Sequence, residues 1–403
     1  MRVRTPRKAL VMSSAAVIML TAAGCHQATA ENSAAPADYD IVGVSQIDGN
    51  GKAVPSAAGA APADPAGDGK ATCAPVSIAA VTPTTGADSA LGANVKDGAQ
   101  LAVDEHNAAN PGCQVTLKVF DTEDDPQKAT EVVPQIIDDA SIIGVVGPTF
   151  SGETKSTGSI FDQAGLVATT PAATNVTLSQ NNWKTFFRGL ANDGVQGPSV
   201  ANYLKNTVGA KKVCVIDDSS DYGLGIANVV RQTLGPIADA GCNIQVKKGD
   251  KDFSAAVTQV KGESPDAIFF GGYYTEAALL LQQLRNAEVT ATFAGGDGIK
   301  DPQLVKQAGQ AAKDALIACP CAPASGPFAD AYTKKWSQAP ATYSTESYDL
   351  ATIQLKGIDS GHTTRPALLD FVRNYQGQGV ARKYQWDGTG ELTTTLIWMY
   401  KVQ

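Results

Sequence analysis

The stretch SIIGVVGPTFSGET, Ser141 to Thr154, decides the fold. A continuous run of small and β-branched residues stops at Gly147-Pro148, and Thr149, Phe150, Ser151 and Gly152 follow. A run that is apolar at every position reads as a strand covered on both faces, as in a parallel sheet flanked by helices. Pro148 ends the strand, and the polar segment GETKSTGSIFDQAG behind it is expected to be a helix that needs a cap. Ser151 is the expected cap, its hydroxyl accepting from an N–H of the first turn. The same helix start, with its free N–H groups and positive end, also suits a carboxylate.

The pattern repeats outward in both directions. VSIAAVT, QVTLKVFD, LVATTP, TFFRGL, KKVCVIDD, NIQVKK, AIFFGGYY, TFAGGD and ALIACP are further short strands, with helical segments between them. In GANVKDGAQLAVDEHNA, Val95, Ala99, Ala102 and Val103 share one helical face. Alternation of this kind means an α/β fold with parallel sheets. About ten strands exceed one ordinary sheet, so two lobes are expected. Ligands of such folds bind beyond the carboxyl ends of the strands. Here those ends read VTPTTG, FDTEDDP, VVGPTFSG, TTPAATN, IDDSSDYG, GGYYTE and AGGDG. They are rich in Gly, Ser, Thr, Tyr and Asp and contain no His. No phosphate-cradling glycine loop is present, and Gly223-x-Gly225 lacks the third glycine of a dinucleotide site.

The ends of the chain set the compartment. Arg2, Arg4, Arg7 and Lys8 precede an apolar run from Ala9 to Gly24, too short and too polar for a permanent membrane span. The run closes on TAAGC, which resembles the lipobox of bacterial lipoproteins, with Ala22 where Leu is usual. Residues 1–24 are therefore expected to be a lipoprotein signal and Cys25 the lipidated residue, at the outer face of the bacterial cytoplasmic membrane. A secretory signal cut near Ala28 to Ala30 is the other reading. Losing residues 1–24 removes those four cations and no acid, taking the formal charge from −8 to −12. Such acidity disfavours nucleic acid and anionic lipid as partners. Residues 25–73, rich in Ala, Pro, Gly and Asp, are expected to be a flexible tether, with YDIVGVSQID as a short strand within it.

Six cysteines remain beside Cys25, an even number that favours disulfides in an exported protein. Cys214 lies within one strand and Cys242 opens the next, and the two are expected to pair, adding about 3–4 kcal/mol on the chain-entropy estimate. Cys73 and Cys113 precede the first two core strands and are expected to pair likewise. For Cys319-Pro-Cys321 a bridge and free thiols are both open. Three histidines, none near a second Cys pair, make a metal site unexpected, and no cofactor is expected.

GAQLAVDEHNA, DTEDDPQKA, GPTFSGET with TTPAATN, DYGLG, GGYYTE and WDGTGEL follow one another in an order that resembles the Leu/Ile/Val-type periplasmic binding proteins, the type I substrate-binding proteins of ABC importers. The resemblance runs from about Val76 to the C-terminus. It implies two α/β lobes joined by three crossovers and closing on a ligand. By position, lobe 1 takes 74–192 and 322–378, and lobe 2 takes 193–321 and 379–403. It implies that Ser151, Ala172 and Thr174 hold the carboxylate and ammonium of an amino acid, and that Asp297, where the family commonly has Glu, faces the ammonium. Tyr222 and Tyr273 would close over the ligand from lobe 2. Leu91 and Phe150 would meet its side chain from lobe 1, with Tyr343 or Tyr348 completing the wall.

The residues alone leave plainer readings open. Ala172 to Thr174 also suits a small-residue turn, Asp297-Gly298 an Asp-Gly turn, and the tyrosines lobe packing. Asp125-Pro126 reads as a helix cap rather than part of a calcium site, and WDGTGEL as a turn joining the last strands. An ammonium taken from water needs a negative partner, which favours Asp297 as a binding residue. The expectation is a monomeric, exported solute-binding protein that captures a small zwitterion, branched-chain or related, and passes it to an importer permease and ATPase. A sensing module is the alternative. A serine hydrolase built on Ser151 is disfavoured, because no base stands at another strand end.

Overall fold

The computed structural model describes residues 39–55 and 61–403; the expected signal over 1–24 and Cys25 lie outside the described residues. Two strands, β1 (Ile41–Ile47) and β2 (Ala53–Val54), come first. Then β3 (Val76–Thr82), β4 (Val115–Asp121), β5 (Ile142–Val146), β6 (Val167–Thr170) and β7 (Phe186–Arg188) form a sheet of order β4-β3-β5-β6-β7, parallel throughout. Every residue of β3, β5 and β6 is buried, as strands covered on both faces must be.

The second sheet uses β8 (Val213–Asp217), β9 (Ala238–Gln245), β10 (Ala267–Gly271), β11 (Thr292–Gly295) and β12 (Leu316–Cys319), all parallel to their neighbours in this set. After the small hairpin of β13 (Gly377–Gln378) and β14 (Lys383–Tyr384), the final strand β15 (Ile397–Val402) enters this sheet antiparallel to β12. The order is β2-β1-β15-β12-β11-β10-β8-β9.

Two expectations are corrected. The tether expected over 25–73 is built into the fold from Tyr39 onward. β1 pairs antiparallel with β15 from Ile41↔Val402 to Ile47↔Ile397, and Asn202 and Asn206 donate to the carbonyls of Gly49 and Asn50. Residues 61–73 then lie on the first lobe. Ala63 N donates to Gln378 O at 2.6 Å, and the Asn110 side chain holds Ala66 O and Ala71 N. Low apolar content says that a segment has little to bury, but it does not exclude pairing with an open strand edge, which satisfies backbone groups whatever the side chains. As a result the chain crosses between lobes a fourth time, between residues 55 and 61.

The second correction concerns the return to lobe 2, expected at 379. Residues 379–392 still pack on lobe 1. Val380 N and Ala381 N donate to Asp349, Trp386 Nε1 donates to Arg188 O at 2.6 Å, and Glu391 pairs with Arg188. WDGTGEL is a turn, closed by Asp387 N on Glu391 O. Gly390 has φ +80°, and a Cβ there would meet Phe186 O at 2.0 Å. Only β15 joins the second sheet.

Cys73–Cys113 and Cys214–Cys242 are bridged as expected, with Cα atoms 4.6 and 4.9 Å apart. Cys319–Cys321 is bridged as well, across the single residue Pro320. Among the described residues no helix is long and apolar enough to cross a membrane.

Candidate ligand cleft between the lobes

The carboxyl ends of β5 and β6 from lobe 1 meet those of β8, β10 and β11 from lobe 2, and most of the named residues gather there. The helix Ser151–Gln163 follows β5. Its cap is Phe150, extended at φ −98° and ψ 155°, and Glu153 three residues on accepts from Phe150 N at 3.0 Å. The expectation that Ser151 is the cap is thus corrected by one residue. Ser151 stands one residue inside the helix, and its hydroxyl serves another bond. It accepts from Asn175 N at 3.2 Å and ties the helix to the TTPAATN loop. Burial pushes the Glu153 carboxyl up to about 7, against the Thr122 hydroxyl and Phe150 N–H that it accepts from.

The loop itself is fixed from below. Thr170 donates its hydroxyl to Pro148 O at 2.7 Å and accepts from Ala173 N at 3.0 Å. Ala172 and Thr174 are buried, and the Thr174 hydroxyl has no hydrogen-bond partner. Thr174 O accepts from Asp193 N at 2.9 Å. Asp193 begins the helix Asp193–Tyr203 behind its cap Asn192. It is fully buried, and neither carboxylate oxygen has a hydrogen-bond partner. Burial, and then the charge of Asp297, push this carboxyl well above the usual range. Arg188 does not answer it with a bond, because its guanidinium is committed to Glu391 and to the carbonyls of Ala173 and Asn175.

Asp297 comes from the end of β11 and is fully buried. Its Oδ1 accepts from the Tyr222 hydroxyl at 2.7 Å and from Gln196 Nε2 at 3.0 Å, and its Oδ2 accepts from the Tyr343 hydroxyl at 2.8 Å. Burial raises its pKa, while those three donors pull it down. The Asp-Gly turn also exists, with Lys300 N on Asp297 O at 2.9 Å. The backbone makes the turn and leaves the side chain to the cleft.

The aromatic residues named for the ligand wall come together at this cleft. Phe150 of lobe 1 lies 4.6 Å, centroid to centroid, from Tyr273 of lobe 2, and Tyr222 lies 5.3 Å from Tyr273. Leu91, in the first turn of the helix Ser89–Ala109, is buried in the same apolar core. Of the two candidates for the far wall, Tyr343 is in place through Asp297. Tyr348 instead donates to Glu105 at 2.6 Å and packs on Phe328. A cavity of about 380 Å³ lies beside the rings, lined by Phe150, Tyr222, Tyr273, Asp124, Asp218 and Lys248 among others.

Sequence reasoning missed Asp193, Gln196 and Lys248. Asp193 and Gln196 carried a readable signal, being polar residues three apart at a helix start directly behind a strand end. Lys248 carried none, standing in a loop beside Lys247. Asp125 is the helix cap expected of it, accepting from Gln127 N at 2.7 Å, but its neighbour Asp124 reaches across to Lys248. Ser151 has no basic partner. Of the two described histidines, His106 pairs with Asp359 and His362 lies against Phe371.

The family described as Periplasmic binding protein matches residues 75–403. An amino acid binding protein of Pseudomonas aeruginosa is 29% identical over 337 residues, covering 81% of this chain and 90% of its own length. The Leu/Ile/Val-binding protein BraC3 of Rhizobium johnstonii is 30% identical over 339 residues, covering 81% and 92%. Among solved structures, the branched-chain amino acid transporter substrate-binding protein LivJ of Streptococcus pneumoniae in complex with isoleucine superposes with TM-score 0.76 at 27% identity, over 82% of this chain and 99% of that one. The family match over residues 75–403, most of the chain, shows that the protein belongs to the periplasmic binding protein family.

Proposed function

We propose that the interlobe cleft captures a small zwitterionic amino acid, branched-chain or related, for delivery to the permease and ATPase of an ABC importer. One observation carries the reading: the fully buried carboxylate of Asp193 has beside it only the Thr174 hydroxyl, without a well-formed hydrogen bond, and lies close to a second buried carboxylate, Asp297. Buried acceptors left unpaired cost free energy that a bound ammonium would recover. On the other side, the positive start of the helix Ser151–Gln163 suits a carboxylate. The ligand's two ends thus have opposite surroundings within one cleft. Tyr273, Tyr222 and Phe150 would cover an aliphatic side chain and exclude water. The Leu/Ile/Val binding of the relatives supports this class of ligand. Export, lipidation at Cys25 and action as a monomer complete the proposal.

Calorimetry against a panel of amino acids tests it. Leucine, isoleucine or valine should bind, and Ser151→Ala should weaken binding about tenfold, the worth of one good hydrogen bond to a charged group. Absence of heat across the panel, in a protein whose melting is unchanged, would refute it.

A further inference from the structure

Lys248 of lobe 2 places its ammonium in a cage drawn from both lobes. Nζ lies 4.2 Å from the centre of the Tyr273 ring and 5.2 Å from that of Phe150. It pairs with Asp124 and stands 3.4 Å from Asp88, both on lobe 1. Aromatic faces combined with carboxylates are the chemistry that recognises organic cations. The cage holds more acid than this one lysine answers. Asp88 is fully buried and neither of its oxygens has a hydrogen-bond partner; Asp218 Oδ2 and Glu276 Oε2 are likewise buried and unpaired. Burial raises the Asp218 carboxyl to about 6 and the Glu276 carboxyl to about 7, against the charge of Lys248. Among the described residues, the cage acids form no cluster within chelating reach of a metal ion. A larger, organic cation is the better fit.

The cage also adjoins the amino-acid site. Tyr222 donates to Asp297, Tyr222 packs on Tyr273, and Tyr273 faces Lys248. The cavity beside the rings is lined by Tyr222, Tyr273 and Lys248 of this path.

We propose that this cage is a second subsite, which takes the ammonium or guanidinium at the end of a basic amino-acid side chain and which Lys248, as a tethered cation, holds until such a ligand arrives. The inference rests on the amino-acid reading above and narrows it: the ligands include lysine- and arginine-like molecules alongside aliphatic ones.

The experiment is calorimetric titration of the full-length protein, purified in mild detergent, with leucine, lysine and arginine, for the natural chain and for Lys248→Met. Lysine and arginine should bind the natural chain. Lys248→Met should tighten both about tenfold relative to leucine measured on the same variant, since the internal competitor is gone. Adding Asp124→Asn to Lys248→Met should undo the gain, with thermal melting confirming that both variants fold. Leucine binding without lysine or arginine binding overturns the subsite and leaves the amino-acid site standing. An equal loss for all three ligands in Lys248→Met also overturns it and makes Lys248 a clasp between the lobes. If none of the three binds, the amino-acid reading itself falls, and the subsite with it.

Discussion

Asp193 and Asp297 are both buried carboxylates of one cleft, yet their positions differ. Asp297 accepts three hydrogen bonds from protein donors, and Asp193 accepts none. Burial holds the ligand-free Asp193 toward its neutral acid, which costs stability because the unfolded chain would ionise it, while a bound cation favours the charged form. Asp193→Asn should therefore separate stability from affinity. The ligand-free protein should melt higher, by an amount equivalent to about 1–3 kcal/mol. Amino-acid affinity should fall at least about tenfold, while the matching α-hydroxy acid, which has no ammonium, should lose little. Calorimetry and thermal melting on one preparation read both effects. Equal loss for the amino acid and the hydroxy acid would place Asp193 in the scaffold rather than at the ammonium.

At the scale of elements, strand ends were the legible part. Ser151, Ala172, Thr174, Tyr222, Tyr273 and Asp297 all follow apolar runs whose length marks a buried strand, so their place near the cleft could be read from the chain. Which residue caps a helix was less legible. Ser151 has the side chain of a cap, but Glu153 makes the bond, and that competition depends on the Thr122 hydroxyl, which comes from a different strand end. Edge pairing was least legible, because β1 is held through backbone groups that every sequence has. The cap gives an element-scale prediction. The Glu153 carboxyl is raised from 4.5 to about 7, so the folded state holds a proton that the unfolded chain releases. Its effect is absent below about pH 4.5, and stability is lost as pH rises from there to about 7, beyond which the loss is complete. Glu153→Gln should flatten that part of the stability curve, by on the order of 2–3 kcal/mol across the window. Denaturant titrations at several pH values measure it, and an unchanged slope would mean that Glu153 is ionised throughout.

The whole molecule differs from a three-crossover design by the extra passage of the chain between residues 55 and 61. On one side of it β1 and β2 belong to the sheet of lobe 2. On the other, residues 61–73 are fixed to lobe 1 by Gln378, Asn110 and the Cys73–Cys113 bridge. Both anchors lie outside the segment matched to the family, which starts at 75, so this passage is an addition to the shared body. A short link of a few residues spans at most about 3.5 Å per residue, so the expected consequence is a limit on how far the lobes separate. Restricting the open state lowers its entropy and favours closure before any ligand contact is made. Inserting about ten Gly and Ser residues after Pro55 lengthens the link while leaving both anchors docked. The ligand-free radius of gyration should rise on insertion, the ligand-bound value should not, and affinity should weaken by about threefold to tenfold for every ligand alike. Small-angle scattering with and without ligand separates the two states. A ligand-free radius that does not move would show that the other three crossovers alone set the opening. In that case β1 and β2 would matter for the stability of lobe 2 and not for its motion.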